Sequence, residues 1–299
     1  MNPSEYISIV SFPGLGIGEF PVNRLAFRLF GIDIMWYGVI ICFGIIVAFS
    51  YLAWRANQVG INFDTVLDYT LWTVPIAVIG ARLYYVIFSL KDHSYHSFWD
   101  VISPRDGGLA IYGGIIGGTI TVIVLCHIKK LNFWKCADVI VFGVLIGQIC
   151  GRWGNFFNRE AFGGYTDGLF AMRIPIDAVN RAQDITAEMK ANIVTVNGID
   201  CIQVHPTFLY ESLFNLCVFL FLLWYRKRKK FDGEIFFLYI GLYGIGRSII
   251  EGLRTDQLLL PGTSIAVSQL LGLCLFVGSA AYLWFGHYRR MIKEWSKKE

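Results

Sequence analysis

Ile34 to Trp54 is a run of 21 residues without one charged side chain, bounded by Asp33 and Arg55. As a helix it rises about 31 Å, the thickness of a bilayer's hydrocarbon core. No other feature restricts the fold as strongly. In lipid the backbone must satisfy its own hydrogen bonds, so a run of this kind is a helix. The strands of a membrane barrel alternate over about ten residues, and this run does not alternate. Comparable runs recur along the chain. The composition agrees: 55% of residues are hydrophobic and 16% charged, where a soluble domain carries about a quarter charged.

Seven spans follow, at 34–54, 66–89, 109–128, 137–152, 206–225, 233–252 and 263–285. The fold class expected is an all-α membrane protein of seven transmembrane helices. Lys and Arg set its orientation. One set of connections holds Arg55, Lys129, Lys130, Lys135, the run Arg226 to Lys230, and Arg289, Arg290, Lys293, Lys297 and Lys298. The opposite set is poorer, with Lys91, Arg105 and Arg254. The C-terminus is then cytoplasmic and the N-terminus outside. Three regions result: an outer-face arm at 1–33, a transmembrane catalytic region at 34–285, and a basic cytoplasmic tail at 286–299. Positive-inside placement accounts for the net charge of +4, and no nucleic-acid partner is implied. The longest connection, 153–205, is an outer-side loop or head region of a length that is usually functional.

Several chemistries lack their motifs. Residues 1–33 do not read as a secretory signal, with Glu5 in place of a basic start and Pro13, Gly14, Gly16 and Gly18 breaking any apolar run. The seven cysteines form no CxxC pair and read as small buried hydrophobes. His93, His96, His127 and His287 show no metal spacing. Walker, GxSxG and HExxH motifs do not occur. No cofactor and no metal are expected.

Two places concentrate polar groups where they are costly. The fourth span ends in the run Gly151 to Gly164, which brings Arg152, Asn155 and Glu160 to a membrane boundary. An ordinary helix end with a snorkelling Arg is the plain alternative. In the sixth span Tyr243, Arg247, Glu251 and Arg254 are spaced by four, four and three residues, which places them on one helical face. Such a stripe faces protein or water, not lipid. It reads as an ion pair that locks the bundle or as part of a functional site. Two spans that each deliver an Arg favour an anionic ligand, because guanidinium holds phosphate with a fixed fork of donors.

The third span opens with glycines from Gly107 to Gly118 around Tyr112, a density that suits close helix packing. Tyr112 is expected on the outer side, near Arg152. Tyr37 reads as an interfacial aromatic. His205, in the run His205 to Glu211 that opens the fifth span, suits a base, a phosphate donor or a capping residue equally.

These motifs together resemble the bacterial phosphatidylglycerol–prolipoprotein diacylglyceryl transferase family. The resemblance runs through Trp36-Tyr37-Gly38, Gly80-Ala81-Arg82, Gly107 to Gly118, Gly151 to Gly164, His205 to Glu211 and Tyr243 to Arg254. It implies a seven-helix bundle with the N-terminus outside, in the bacterial cytoplasmic (inner) membrane. It implies transfer of diacylglycerol from phosphatidylglycerol to the lipobox cysteine of a prolipoprotein signal peptide, giving a thioether and glycerol phosphate. By resemblance Arg152 and Arg247 bind the lipid phosphate. Tyr37, Asn155, Glu160, Gly163, Tyr243, Glu251 and Arg254 fall on positions the family uses in its site. Some members carry His where this chain has Tyr112, which leaves Tyr112 and His205 as competing candidates for the base.

The chemistry suits the residues. A thiolate is the nucleophile, and nearby guanidinium lowers the thiol pKa and stabilises the leaving phosphate. A lipid transporter or scramblase would use the same arginines, but would leave its lipid intact.

Overall fold

The computed structural model describes residues 7–90, 97–102, 108–260, 262–263 and 265–295. Glu5, Lys91, Arg105, Gly107, Lys297 and Lys298, and the histidines His93 and His96, lie outside the described residues. In chain order the strands are β1 (Ile7–Phe12), β2 (Ile17–Asn23), β3 (Leu25–Leu29), β4 (Ile32–Met35), β5 (Met172–Pro175), β6 (Val194–Val196) and β7 (Ile199–Val204). The helices are α1 (Trp36–Gln58), α2 (Phe63–Ser89), α3 (Phe98–Ile102), α4 (Ile111–Ile128), α5 (Phe133–Asn158), α6 (Ala187–Ala191), α7 (Thr207–Tyr225), α8 (Glu234–Glu251) and α9 (Val267–Trp295).

The protein is mostly helical and multi-pass. Six helices, α1, α2, α4, α5, α7 and α9, are long and apolar enough to cross a membrane. The long helix α8 is less apolar, because Glu234, Arg247 and Glu251 interrupt it. Two expectations need correction. The fourth span, expected at 137–152, is α5 and runs from Phe133 to Asn158, so the start of the expected outer loop is helical. The helical class holds for the apolar segments but omits a small sheet built from the arm and the long connection.

That sheet has the order β2-β1-β5-β7-β6. All its pairs are antiparallel, and β1 joins β5 through Ser11 and Arg173. Its buried face carries Val10, Phe12, Met172, Ile174, Ile202 and Val204, which pack with Phe156 of α5 and Phe208 of α7. Phe156 follows Asn155 directly, so the sheet's core grips the helix turn that carries the candidate polar residues. Arg159 locks the same corner. It donates to Ser8 Oγ, to Val22 O at 2.9 Å and to Phe157 O at 2.9 Å. Burial, with Arg24 nearby, pushes its pKa down to about 10.

The chain divides into two compact units, residues 1–48 with 141–299, and residues 49–140. In the second, α2 and α4 pack through glycine. A side chain at Gly80 would meet Gly113 O at 2.6 Å, and one at Gly117 would meet Ile76 O at 2.9 Å. Close packing is therefore what the glycine-rich start of α4 serves. Arg82 holds the entry to α4, donating to Asp100 O at 2.6 Å, Val101 O at 2.8 Å and Gly108 O at 3.1 Å. In the first unit α8 and α9 meet at Gly244 and Gly272, where an added Cβ would lie 2.5 Å from the opposite carbonyl.

All seven cysteines are free thiols. Cys126, Cys136 and Cys201 are buried as expected, but Cys42, Cys217 and Cys274 are exposed on the apolar surfaces of α1, α7 and α9.

Candidate active site

The site is assembled in the first unit by the end of α5, the start of α7, the end of α8 and the loops that follow. Arg152 Nη2 lies 2.6 Å from Glu211 Oε1. Arg247 Nη1 donates to Glu211 Oε2 at 3.1 Å. One buried carboxylate on α7 thus bridges two guanidinium groups, one from α5 and one from α8. Arg247 Nη2 also pairs with Glu251 one helical turn further on, as the four-residue spacing requires. Glu251 Oε1 accepts from Ser268 Oγ at 2.5 Å, and Glu251 Oε2 lies 3.9 Å from Arg254 Nε.

Past α8, Arg254 forms a two-pronged pair with Asp256, Nε to Oδ1 at 2.8 Å and Nη2 to Oδ2 at 2.7 Å. Burial alone would raise the Asp256 pKa, but the Arg254 hydrogen bonds and charge outweigh it and hold the carboxyl below its ordinary range. Arg181, in the connection between β5 and α6, reaches Asp256 at 3.3 Å.

On the α5 side a chain of hydrogen bonds fixes the remaining groups. Arg152 Nη1 donates to Asn155 Oδ1 at 3.2 Å, and Asn155 Nδ2 donates to Glu160 Oε1 at 2.9 Å. Asn158 and Asn180 hold Glu160 as well, at 3.3 and 3.1 Å. Tyr37 lies against the same helix: a side chain at Gly154 would meet its ring at 2.6 Å. Beneath the ion pairs Tyr243 stacks on Tyr239 with ring centroids 5.7 Å apart, and Gln148 Nε2 donates to Tyr239 OH at 2.9 Å.

Gly163 ties three segments together. Its N–H donates to His205 O at 2.9 Å, and the next N–H, of Gly164, donates to Leu253 O at 2.8 Å. A Cβ at Gly163 would lie 2.7 Å from both His205 Cβ and Leu253 O. Glycine here is a requirement of close approach between backbones.

Arg152, Asn155, Glu160, Gly163, Tyr37, Tyr243, Arg247, Glu251 and Arg254 are therefore gathered in one unit. His205 joins them through its backbone. Its ring turns to Tyr210, with Nδ1 at 3.3 Å from the hydroxyl, and burial lowers its pKa. Tyr112 belongs to the second unit, where its ring lies 6.3 Å from that of Tyr84. Sequence reasoning gave no role to Glu211, the residue that links the two arginines. Its signal was a carboxylate one turn inside an apolar span. Asp256, Asn180, Arg181 and Ser268 carried no such signal.

Each guanidinium has five N–H donors, and the contacts named use two on Arg152 and two on Arg247. The centre is suited to a bidentate anion that competes with a carboxylate for two cationic forks.

A sequence profile of the family described as prolipoprotein diacylglyceryl transferase matches residues 24–285. The phosphatidylglycerol–prolipoprotein diacylglyceryl transferase 1 of Clostridium perfringens is 40% identical over 265 residues, covering 88% of this chain and 94% of the relative. The transferase of that name in Finegoldia magna is 40% identical over 273 residues, covering 91% and 98%. The one in Limosilactobacillus reuteri is 41% identical over 266 residues, covering 88% and 90%. With the profile spanning most of its length and relatives this similar, the chain belongs to the prolipoprotein diacylglyceryl transferase family.

Proposed function

We propose that this chain transfers the diacylglyceryl group of phosphatidylglycerol to the lipobox cysteine thiol of a prolipoprotein, releasing glycerol phosphate. The observation that carries this is the Glu211 carboxylate held between Arg152 and Arg247. A lipid phosphodiester offers the same two oxygens to the same two forks. Arg152 and Arg247 bind that phosphate and stabilise the charge that grows on it as the glyceryl C–O bond breaks. The substrate thiolate attacks the glyceryl carbon, so the step is substitution at carbon and needs no phosphoryl intermediate.

Glu251, itself 3.9 Å from Arg254, holds Arg247 in place, and Asn155, tied to Glu160, does the same for Arg152. Tyr37, Tyr243 and Gly163 shape the walls. The arginine field lowers the thiol pKa, and the proton leaves to solvent or to the His205 imidazole.

The same reading makes α8 a seventh span, its charges tolerable because they are paired within the protein. It places the N-terminus and the 153–205 head outside and the C-terminus in the cytoplasm of a bacterial inner membrane. Residues 1–33 are then an outer-face arm, 34–285 the catalytic region and 286–299 a basic tail.

The test is direct. Purified protein is incubated with phosphatidylglycerol and a lipobox peptide. The expected result is equimolar glycerol phosphate and thioether-lipidated peptide. Lipid that moves between leaflets but stays intact would mean a transporter instead.

A further inference from the structure

The chain enters α1 through a two-stranded hairpin with two unlike faces. β3 and β4 oppose Leu29 with Ile32, Arg28 with Asp33, and Phe27 with Ile34. Directly opposed residues share a face and successive residues alternate. One face therefore carries Phe27, Leu29, Ile32 and Ile34. The other carries Arg28 and Asp33, paired at 2.5 Å from Nε to Oδ1 and 3.2 Å from Nη2 to Oδ2.

The turn is Phe30-Gly31, both at positive φ, 50° and 79°. A two-residue turn of this shape favours Asn-Gly or Asp-Gly. A phenylalanine in that left-handed conformation is unfavourable, and its ring gains nothing from the protein, being 96% exposed. Phe27, Leu29 and Ile32 are exposed by 50%, 49% and 56%. An apolar tip held in a costly backbone conformation points to an environment outside the protein that rewards it.

The hairpin's position identifies that environment. Its base is fixed by Trp36 N–H donating to Arg24 O at 2.9 Å. Met35 ends β4 and Trp36 begins α1 with no linker between them. α1 is apolar enough to cross a membrane and buries little of itself in protein. The strand pair thus leaves the helix where an aromatic pair, Trp36-Tyr37, marks a bilayer boundary.

We infer that the hairpin is a lipid-dipping finger: Phe27, Leu29, Phe30 and Ile32 enter the acyl region just beneath the headgroups, while the Arg28–Asp33 pair faces headgroups and water. The inference rests on α1 crossing the bilayer. The finger has a consequence for the site, since Tyr37 packs on Gly154 and follows β4 by two residues. Anchoring the hairpin in the leaflet fixes the depth at which Arg152 meets a lipid phosphate.

Spin labels measure immersion. Phe30→Cys is labelled in a chain whose seven native cysteines are alanine, and is reconstituted in vesicles of equal phosphatidylcholine and phosphatidylglycerol. Labels at Ile46→Cys on α1 and Lys190→Cys on α6 serve as lipid and water standards. The label at position 30 is expected to collide with oxygen and to be shielded from a water-soluble nickel chelate, as at position 46. A label that behaves as at position 190 overturns the finger. So does one shielded only after lipobox peptide is added, which would assign the tip to the peptide. A water-exposed label at position 46 would instead remove the membrane reading of α1, and the finger with it. Phe30→Asp gives an independent readout. It is expected to raise the KM for lipid several-fold in vesicles while leaving kcat in detergent micelles unchanged; an unchanged KM in vesicles overturns the proposal.

Discussion

Glu211 Oε1 stands 2.6 Å from Arg152 Nη2, and the same buried carboxylate takes Arg247 through its other oxygen at 3.1 Å. Removing it leaves two cations facing each other with little water to screen them. Glu211→Ala is expected to lose about 3–5 kcal/mol of stability, as when one partner of a buried pair is deleted. Glu211→Gln, which keeps an acceptor oxygen, should lose less. Thermal unfolding in detergent micelles measures both, and a wild-type midpoint for the alanine variant would contradict the bridging role.

Arg152→Lys and Arg247→Lys preserve charge but not the planar fork. Turnover should fall by on the order of a hundredfold or more in each, as expected where preorganised donors serve a transition state. Steady-state rates on folded variants decide this. Wild-type rates in both would make the arginines structural partners of Glu211 and nothing more.

Gly163 and Gly164 are neighbours with opposite tolerance. A methyl group at Gly163 meets two atoms at 2.7 Å, whereas one at Gly164 meets nothing within 4 Å. Gly163→Ala should cost about 1–3 kcal/mol by overpacking and should disturb the His205 and Arg254 segments, so activity falls with it. Gly164→Ala should be close to wild type in both. Equal behaviour of the two variants in melting and turnover would refute the packing argument.

For the base, Tyr112→Phe should keep substantial activity. Ionising a phenol at neutral pH costs about 4 kcal/mol from its reference pKa, and a thiol about half that. Burial lowers the His205 pKa, which favours its neutral imidazole but makes it a weaker base, so the arginine charge carries most of the thiol's activation. The rate should therefore rise with pH along a limb set by the substrate thiol, and a substrate analogue with a lower thiol pKa should move that limb down. A limb indifferent to the thiol and lost in Tyr112→Phe would make the phenol the base.

Orientation is tested by cysteine labelling of intact cells on a cysteine-free background. Lys190→Cys, in the 153–205 head, should react with an impermeant reagent, and Arg228→Cys should not. The reverse pattern would invert the topology.

How much of this was readable in the sequence varies by element. The charge-free block before Arg55 dictates a helix, and α1 covers it from Trp36 onward, while Ile34 and Met35 end β4. The Tyr243, Arg247, Glu251 and Arg254 stripe was legible because helical spacing alone decides which residues share a face. Glu211 was not, since its partners lie on two other helices, and spacing within α7 says nothing of them. The run from Trp153 to Asn158 read as a loop because Gly154 and two Asn look like a helix end. Gly154 instead remains helical and makes room for the Tyr37 ring. The sheet escaped notice because its strands are short and the pairings that join its two hairpins, through β5, are between segments remote in sequence.

That remoteness sets an order on assembly. Ser11 on β1 finds its partner Arg173 on β5 only after about 160 further residues have left the ribosome. At typical synthesis rates that wait is on the order of ten seconds. During it the first hairpin stands with an unpaired edge while α1, α2, α4 and α5 are delivered. The head therefore forms late, as a clasp joining the beginning of the chain to its middle. A block after α5 should leave an aminoterminal strand open to proteases, and release of the block should close it.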